Sequence, residues 1–183
     1  MEFILTYEGP LPSNGNPTQK HEIRRAFHPQ LRELWSTHPA LKPIDYLLDP
    51  TAINSVIFSA GAFNFASLIC EELGLLAAID VLLLRPGRPG AVISSRADLD
   101  NQIKTLFDAL RVPTGSNEVP DSVSPMKDEE PFFCLLDDDL RVVDLRVRAE
   151  QLLIPPPTSS GVRALIRVHA RVEVPRMENS AFA

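Results

Sequence analysis

The 183-residue chain is 44% apolar and 23% charged, with a formal charge of −6 at neutral pH. These fractions exclude wholesale disorder and allow a buried core, and the length suits one domain over residues 1–183 better than two. Two cysteines, Cys70 and Cys134, are too few for a disulfide framework or a structural zinc site.

Prolines outnumber glycines, 17 to 8, which predicts long, stiff irregular connections. The start, MEFILTYEGP, has no basic segment followed by a long apolar one, which argues against export. The richest apolar stretch, Gly74 to Leu84, is broken by Asp80 and falls short of the roughly 18 residues of a membrane span. A soluble, cytoplasmic protein with no membrane partner is the expectation.

In chain order, residues 2–7 read as a short strand, followed by a loop rich in glycine, proline and asparagine over residues 9–17. From Thr18 onward Ile23, Ala26, Phe27, Leu31, Leu34 and Trp35 fall on one helical face. Pro29 interrupts that face and is expected to start a second helical stretch at its first turn. Arg24, Arg25 and Arg32 would project from the other sides. Residues 36–54 are punctuated by proline and give no clear element. Asn54–Ser59 reads as a strand, Phe63–Leu73 as either strand or helix, and Ala77–Leu84 as a strand before a turn at Arg85–Gly90.

Leu99, Ile103, Leu106, Phe107 and Leu110 recur at helical spacing, which predicts an amphipathic helix from about Asp98 to Leu110, capped by Asp98 or Asp100. A polar, acidic loop spans 112–131. Phe132–Leu136 and Arg141–Arg148 read as two strands joined by an aspartate-rich turn, hence a hairpin. Last, Val162, Ala164, Ile166, Val168, Ala170, Val172 and Val174 alternate with Arg163, Leu165, Arg167, His169, Arg171 and Glu173, so that one face is core and the other basic. The class is α+β, with a small mixed, mainly antiparallel sheet and helices packed on it.

Ten of the 24 acids sit in three places: the loop 112–131, the pair Asp98/Asp100, and the run Asp137-Asp138-Asp139. Outside these, 17 bases face 14 acids. A mildly basic body with concentrated acidic spots suits a phosphate-rich ligand held through metal ions, and equally suits a solvated surface. Asp98 and Asp100 lie at a helix start, with Lys104 one turn beyond Asp100 on the same side. If the aspartate-rich turn lies beside that start, four or five carboxyl groups converge and call for a hard divalent cation, Mg²⁺ or Mn²⁺. Such a cation beside a lysine suits phosphodiester hydrolysis. The same residues also fit ordinary surface pairs, Asp100–Lys104 and Lys104–Asp108, and aspartate is a common turn former. Gln102 and Lys104 at the next alternate positions exclude a calcium hand. His21, His28, His38 and His169 show no metal-ligand spacing, and Cys134 and Trp35 read as core residues.

The run Asp98-Leu99-Asp100-Asn101-x-x-Lys104-x-x-Phe107-Asp108-Ala109-Leu110, with Asp138-Asp139-x-x-Val142-Val143-Asp144-x-Arg146-Val147, resembles the RusA-type Holliday junction resolvases. Pro12-Ser13-Asn14 after the first strand is similar to that family's Pro-Ser-Asn motif. The resemblance implies a RusA-like fold and a Mg²⁺-dependent endonuclease that cuts branched DNA as a homodimer. It implies Asp98, Asp100 and Asp139 as the catalytic metal ligands, Lys104 as the catalytic lysine, and Asn101 and Asp138 in support. Arg24, Arg25, Arg85, Arg88 and Arg96 are candidate DNA contacts, with Arg32, Arg163, Arg167 and Arg171 also available. The chain departs from the family over about 36–75 and in the acidic loop 112–131, which would repel DNA unless it folds away. The alternative is a non-catalytic binding or regulatory protein of the same fold that offers its acidic loop to a protein partner.

Overall fold

The strongest alternation in the sequence builds the middle of a sheet. The computed structural model describes residues 1–86, 99–154 and 161–182. Strands β1 (Glu2–Pro10), β4 (Leu75–Arg85), β6 (Val142–Gln151) and β7 (Gly161–Val172) form one sheet in the order β1-β7-β4-β6. β7 is antiparallel to both neighbours, and β6 runs parallel to β4. Val162, Ala164, Ile166, Val168 and Ala170 of β7 are buried beside Ile79, Val81 and Leu83 of β4, while the intervening Arg163, Leu165, Arg167, His169 and Arg171 are exposed. The period-two pattern thus sorts one face to core and one to water.

A second sheet, in the order β2-β3-β5, holds β2 (Ile57–Ala60), β3 (Phe63–Ile69) and β5 (Phe132–Leu136). β2 and β3 are antiparallel, whereas β3 and β5 are parallel. The fold is therefore α+β, with two mainly antiparallel sheets rather than the single sheet expected. Helix α1 (Pro17–Thr37) packs on β5, β1 and helix α2 (Leu99–Leu110). Among the described residues no helix is long and apolar enough to cross a membrane.

Helix α1 begins with a reciprocal cap. The Asn16 side chain accepts from Gln19 N–H at 2.9 Å, and the Gln19 side chain accepts from Asn16 N–H at 3.0 Å, with Pro17 in the first turn. Pro29 does not divide the helix as expected; the helix runs through it. An interior proline costs about 3 kcal/mol. Here Ile23, Phe27, Leu31 and Trp35 are buried on both sides of Pro29, so the packed face carries the helix across.

The expected hairpin between β5 and β6 is absent, because the two strands belong to different sheets. The chain passes from the three-stranded to the four-stranded sheet at two places, from β3 to β4 and from β5 to β6, and these two crossings lie side by side in the same direction. The aspartate run builds the second crossing. Asp137 accepts from Glu71 N–H, Asp138 N–H and Arg141 Nε, and Asp138 caps a short 3-10 turn (Asp139–Arg141) by accepting from Leu140 N–H. Arg141 also reaches Glu71 at 2.9 Å, tying one crossing to the other. The first crossing turns at Gly74, whose φ of +58° and 2.7 Å approach from Val174 O to a would-be Cβ leave no room for a side chain.

Candidate functional site

Helix α2 presents different chemistry at its two ends. At its start, Gln102 Nε2 donates to Leu11 O at 2.7 Å, and Gly15 N–H donates to Thr105 Oγ1 at 3.0 Å. A Cβ on Gly15 would lie 2.7 Å from the Thr105 methyl group, so the loop and helix meet backbone to side chain. These contacts seat the loop that carries Pro12, Ser13 and Asn14 on the first turns of α2. Two of the stretches that carry the family resemblance, about 90 residues apart, therefore meet in space.

Asp100 lies inside the first turn and is not the cap residue. Asp100 and Lys104 are both exposed, and neither is ion-paired with another described residue. The Asp100–Lys104 and Lys104–Asp108 pairs do not form; Asp108 instead meets Lys20 at 2.7 Å and Arg111 at 3.3 Å. Asn101 is half-buried beside them. Asp98 lies outside the described residues.

The far end of α2 holds a charged network around Arg111. Arg111 contacts Asp108, Glu118 at 3.0 Å and Asp139 at 3.8 Å. Partial burial raises the Asp139 pKa, and the Asp108, Asp138 and Glu118 charges add to this while Arg111 opposes it. Asp139 thus sits beside residue 111, whereas Asp100 is eleven residues earlier, about 16 Å along the helix axis at 1.5 Å per residue. Asp139 lies at the Arg111 end of α2 and Asp100 at its start, and no described contact joins the two. The physical reason is the crossing described above: the aspartate run turns beside the end of α2, not beside its start. Asp138 serves the local turn, and Asp137 is bonded in the crossing. No group of three or more His, Cys, Asp or Glu among the described residues is placed to hold a metal ion.

The candidate phosphate contacts divide. Arg24 is not available, being only 1% exposed, with Nη2 donating to Asp108 O at 2.8 Å and Nε to Arg111 O. It satisfies carbonyls at the end of α2, a role normally left to a C-cap. Arg25 is bonded through two nitrogens to Glu129, at 2.7 and 2.9 Å, and Arg32 donates to Asp128 O at 2.9 Å. Arg163 and Arg167 pair with Glu8 and Glu2 across the outer sheet face. Arg85 is half-buried at the end of β4, and Arg88 and Arg96 lie outside the described residues.

The acidic loop folds down on α1. Glu129 is buried, and although burial alone would raise its pKa, the Arg25 bonds and Met126 N–H hold it below the usual carboxylate range. His28 anchors the loop's end. Its Nδ1 accepts from Phe133 N–H at 2.9 Å, which leaves Nε2 as the donor to Asp128 O at 2.8 Å. His21, one face-repeat earlier, is buried against Phe63 and Phe132, and burial lowers its pKa to about 4.

Sequence reasoning missed His28, Gln102 and Arg111. His28 had a usable signal, since it shares the buried stripe of α1 with His21, Phe27 and Leu31. Arg111 and Gln102 had none, because their partners are set by tertiary packing. No protein-family model matches the chain, and no curated protein matches it.

Proposed function

We propose that the protein is a metal-dependent endodeoxyribonuclease that hydrolyses phosphodiester bonds in branched DNA such as Holliday junctions, acting in the cytoplasm as a pair of copies. The observation that carries this reading is the start of α2. The loop with Pro12-Ser13-Asn14 is locked to Gln102 and Thr105, and the surface so formed presents Asp100 and Lys104, neither of them ion-paired with another described residue.

An exposed carboxylate with no cation bonded to it among the described residues is a suitable oxygen donor for Mg²⁺ or Mn²⁺. On this reading Asp98 and Asp100 would hold the ion, which when bound polarises a phosphoryl oxygen and acidifies a coordinated water. Lys104, one turn along, would place its ammonium against the phosphate charge. Gln102 and the loop residues fix the helix start, so both side chains project from a rigid base. Asp139 is the third carboxylate of the set that the resemblance implies.

A binding protein that offers its acidic loop to a partner is less well supported, since Glu118 and Glu129 are spent on Arg111 and Arg25. A labelled four-way junction incubated with Mg²⁺ separates the two readings. Cleavage that disappears in Asp100→Asn supports the nuclease; an intact junction with folded protein under every divalent ion supports the binder.

A further inference from the structure

Strand β1 lies at one edge of the β1-β7-β4-β6 sheet, and helix α1 packs beside it. In an antiparallel ladder, alternate residues turn their backbone groups away from the partner strand. On β1 these are the residues in step with Thr6, because the Gln30 side chain accepts from Thr6 N–H at 2.9 Å and donates to Thr6 O at 2.8 Å. A primary amide thus takes the place of an incoming peptide group, and a further donation to Ala26 O at 2.9 Å holds it there. At the end of the strand, Pro10 has no N–H, and its carbonyl accepts from the Tyr7 hydroxyl at 2.6 Å. Between these two points lies Glu8. Its N–H and C=O turn outward as those of Thr6 do, and neither bonds outside the sheet among the described residues.

This part of the edge opens into a groove of about 510 Å³ between β1 and α1. The helix lines it with Gln19, Glu22, Ile23 and Ala26, one stripe at helical spacing that continues to Gln30. Leu11 and Ile23 are buried and give the groove an apolar floor, and the small Ala26 leaves space above it. The lining carries two carboxylates and no cation. Glu8 is paired with Arg163 on the outer sheet face. Glu22 is exposed and in no ion pair with a described residue, since the neighbouring cations of α1, Lys20 and Arg25, are held by Asp108 and Glu129. An uncommitted negative charge therefore stands beside an open pair of ladder groups. That charge repels a nucleic-acid backbone and favours a basic occupant.

We infer that the groove binds an extended peptide segment of a partner protein, one that carries a lysine or arginine, by adding it as a short strand along β1 at Glu8. The peptide backbone bonds to Glu8 N–H and C=O, which supplies affinity, and its side chains supply selectivity. Because successive side chains of a strand alternate in direction, an apolar one enters over Ala26 and a basic one reaches the Glu22 rim. The Gln30 amide marks how the ladder continues, one step further along the same edge. Leu11, in the groove floor, also accepts from Gln102 Nε2, so the occupied groove adjoins the loop that seats the start of α2.

Fluorescence anisotropy of a labelled peptide of alternating lysine and valine, titrated with the full chain, tests this. Wild type should bind it saturably. Ala26→Trp fills the groove from an exposed helix position and should weaken binding about tenfold or more at unchanged melting temperature, as should Glu22→Lys. Methylating the backbone nitrogens of the peptide should weaken it similarly. Gln30→Ala opens the Thr6 groups as well and should tighten binding about threefold. No saturable binding by wild type, or binding that Ala26→Trp and backbone methylation leave unchanged, overturns the groove as a strand-adding site. Equal affinity for the peptide with glutamate in place of lysine overturns the basic partner. Self-association of wild type that Ala26→Trp abolishes gives the groove to a second copy of the chain and overturns the inference.

Discussion

The two ring nitrogens of His28 do opposite jobs, one accepting from Phe133 N–H and the other donating to Asp128 O, and only the neutral ring can do both. Burial lowers its pKa, as it does that of His21 to about 4. The sign of the pH dependence follows. In the unfolded chain these rings protonate near pH 6.5, while in the folded chain they stay neutral to lower pH, so acidification favours unfolding. Stability is full above about pH 6.5 and declines toward pH 4, below which Glu129, whose pKa is also depressed, adds a further loss. The melting temperature should fall steadily from pH 7 to pH 5, and His21→Leu should flatten that fall; an unchanged slope would count against His21 as a buried neutral ring. Arg24 gives a second contrast. Arg24→Leu strips donors from two carbonyls at the end of α2 and should destabilise the protein by about 3 kcal/mol in urea melts. A variant of wild-type stability with weakened DNA binding would return Arg24 to the surface role first expected of it.

Among the elements, the strands and helices with regular patterns were readable, and the pairings were not. β7 and α2 stand within a few residues of where their apolar spacing puts them, because each must bury one face whatever its neighbours. β5 and β6 were misread as a hairpin because an aspartate-rich turn between two extended runs looks the same whether the chain folds back or crosses to another sheet. Asp137 is spent on Glu71 N–H, a partner 66 residues away that no local pattern announces. The same applies to the candidate site. The contact of the Pro12–Asn14 loop with α2 joins stretches about 90 residues apart, and which end of α2 meets Asp139 depends on where the crossing passes; neither is announced by a local pattern. The acidic loop carries the prediction at this scale. Glu129→Gln should free Arg25, increase amide exchange over residues 112–131, and cost about 1 kcal/mol. It should also strengthen DNA binding with a steeper salt dependence, since one more arginine becomes available to phosphate. Unchanged exchange in the loop would mean that the Arg25–Glu129 bond does not hold it down.

For the whole molecule, the proposed activity depends on the exposed carboxylate and lysine at the start of α2 acting on DNA through a bound divalent ion. The most direct measurement is cleavage of a labelled four-way junction by purified protein with and without Mg²⁺. The account predicts paired incisions with Mg²⁺, none in its absence, and none with Asp100→Asn at unchanged melting temperature. Cleavage that persists in folded Asp100→Asn, or a junction left intact by folded wild-type protein with Mg²⁺ or Mn²⁺, would contradict it.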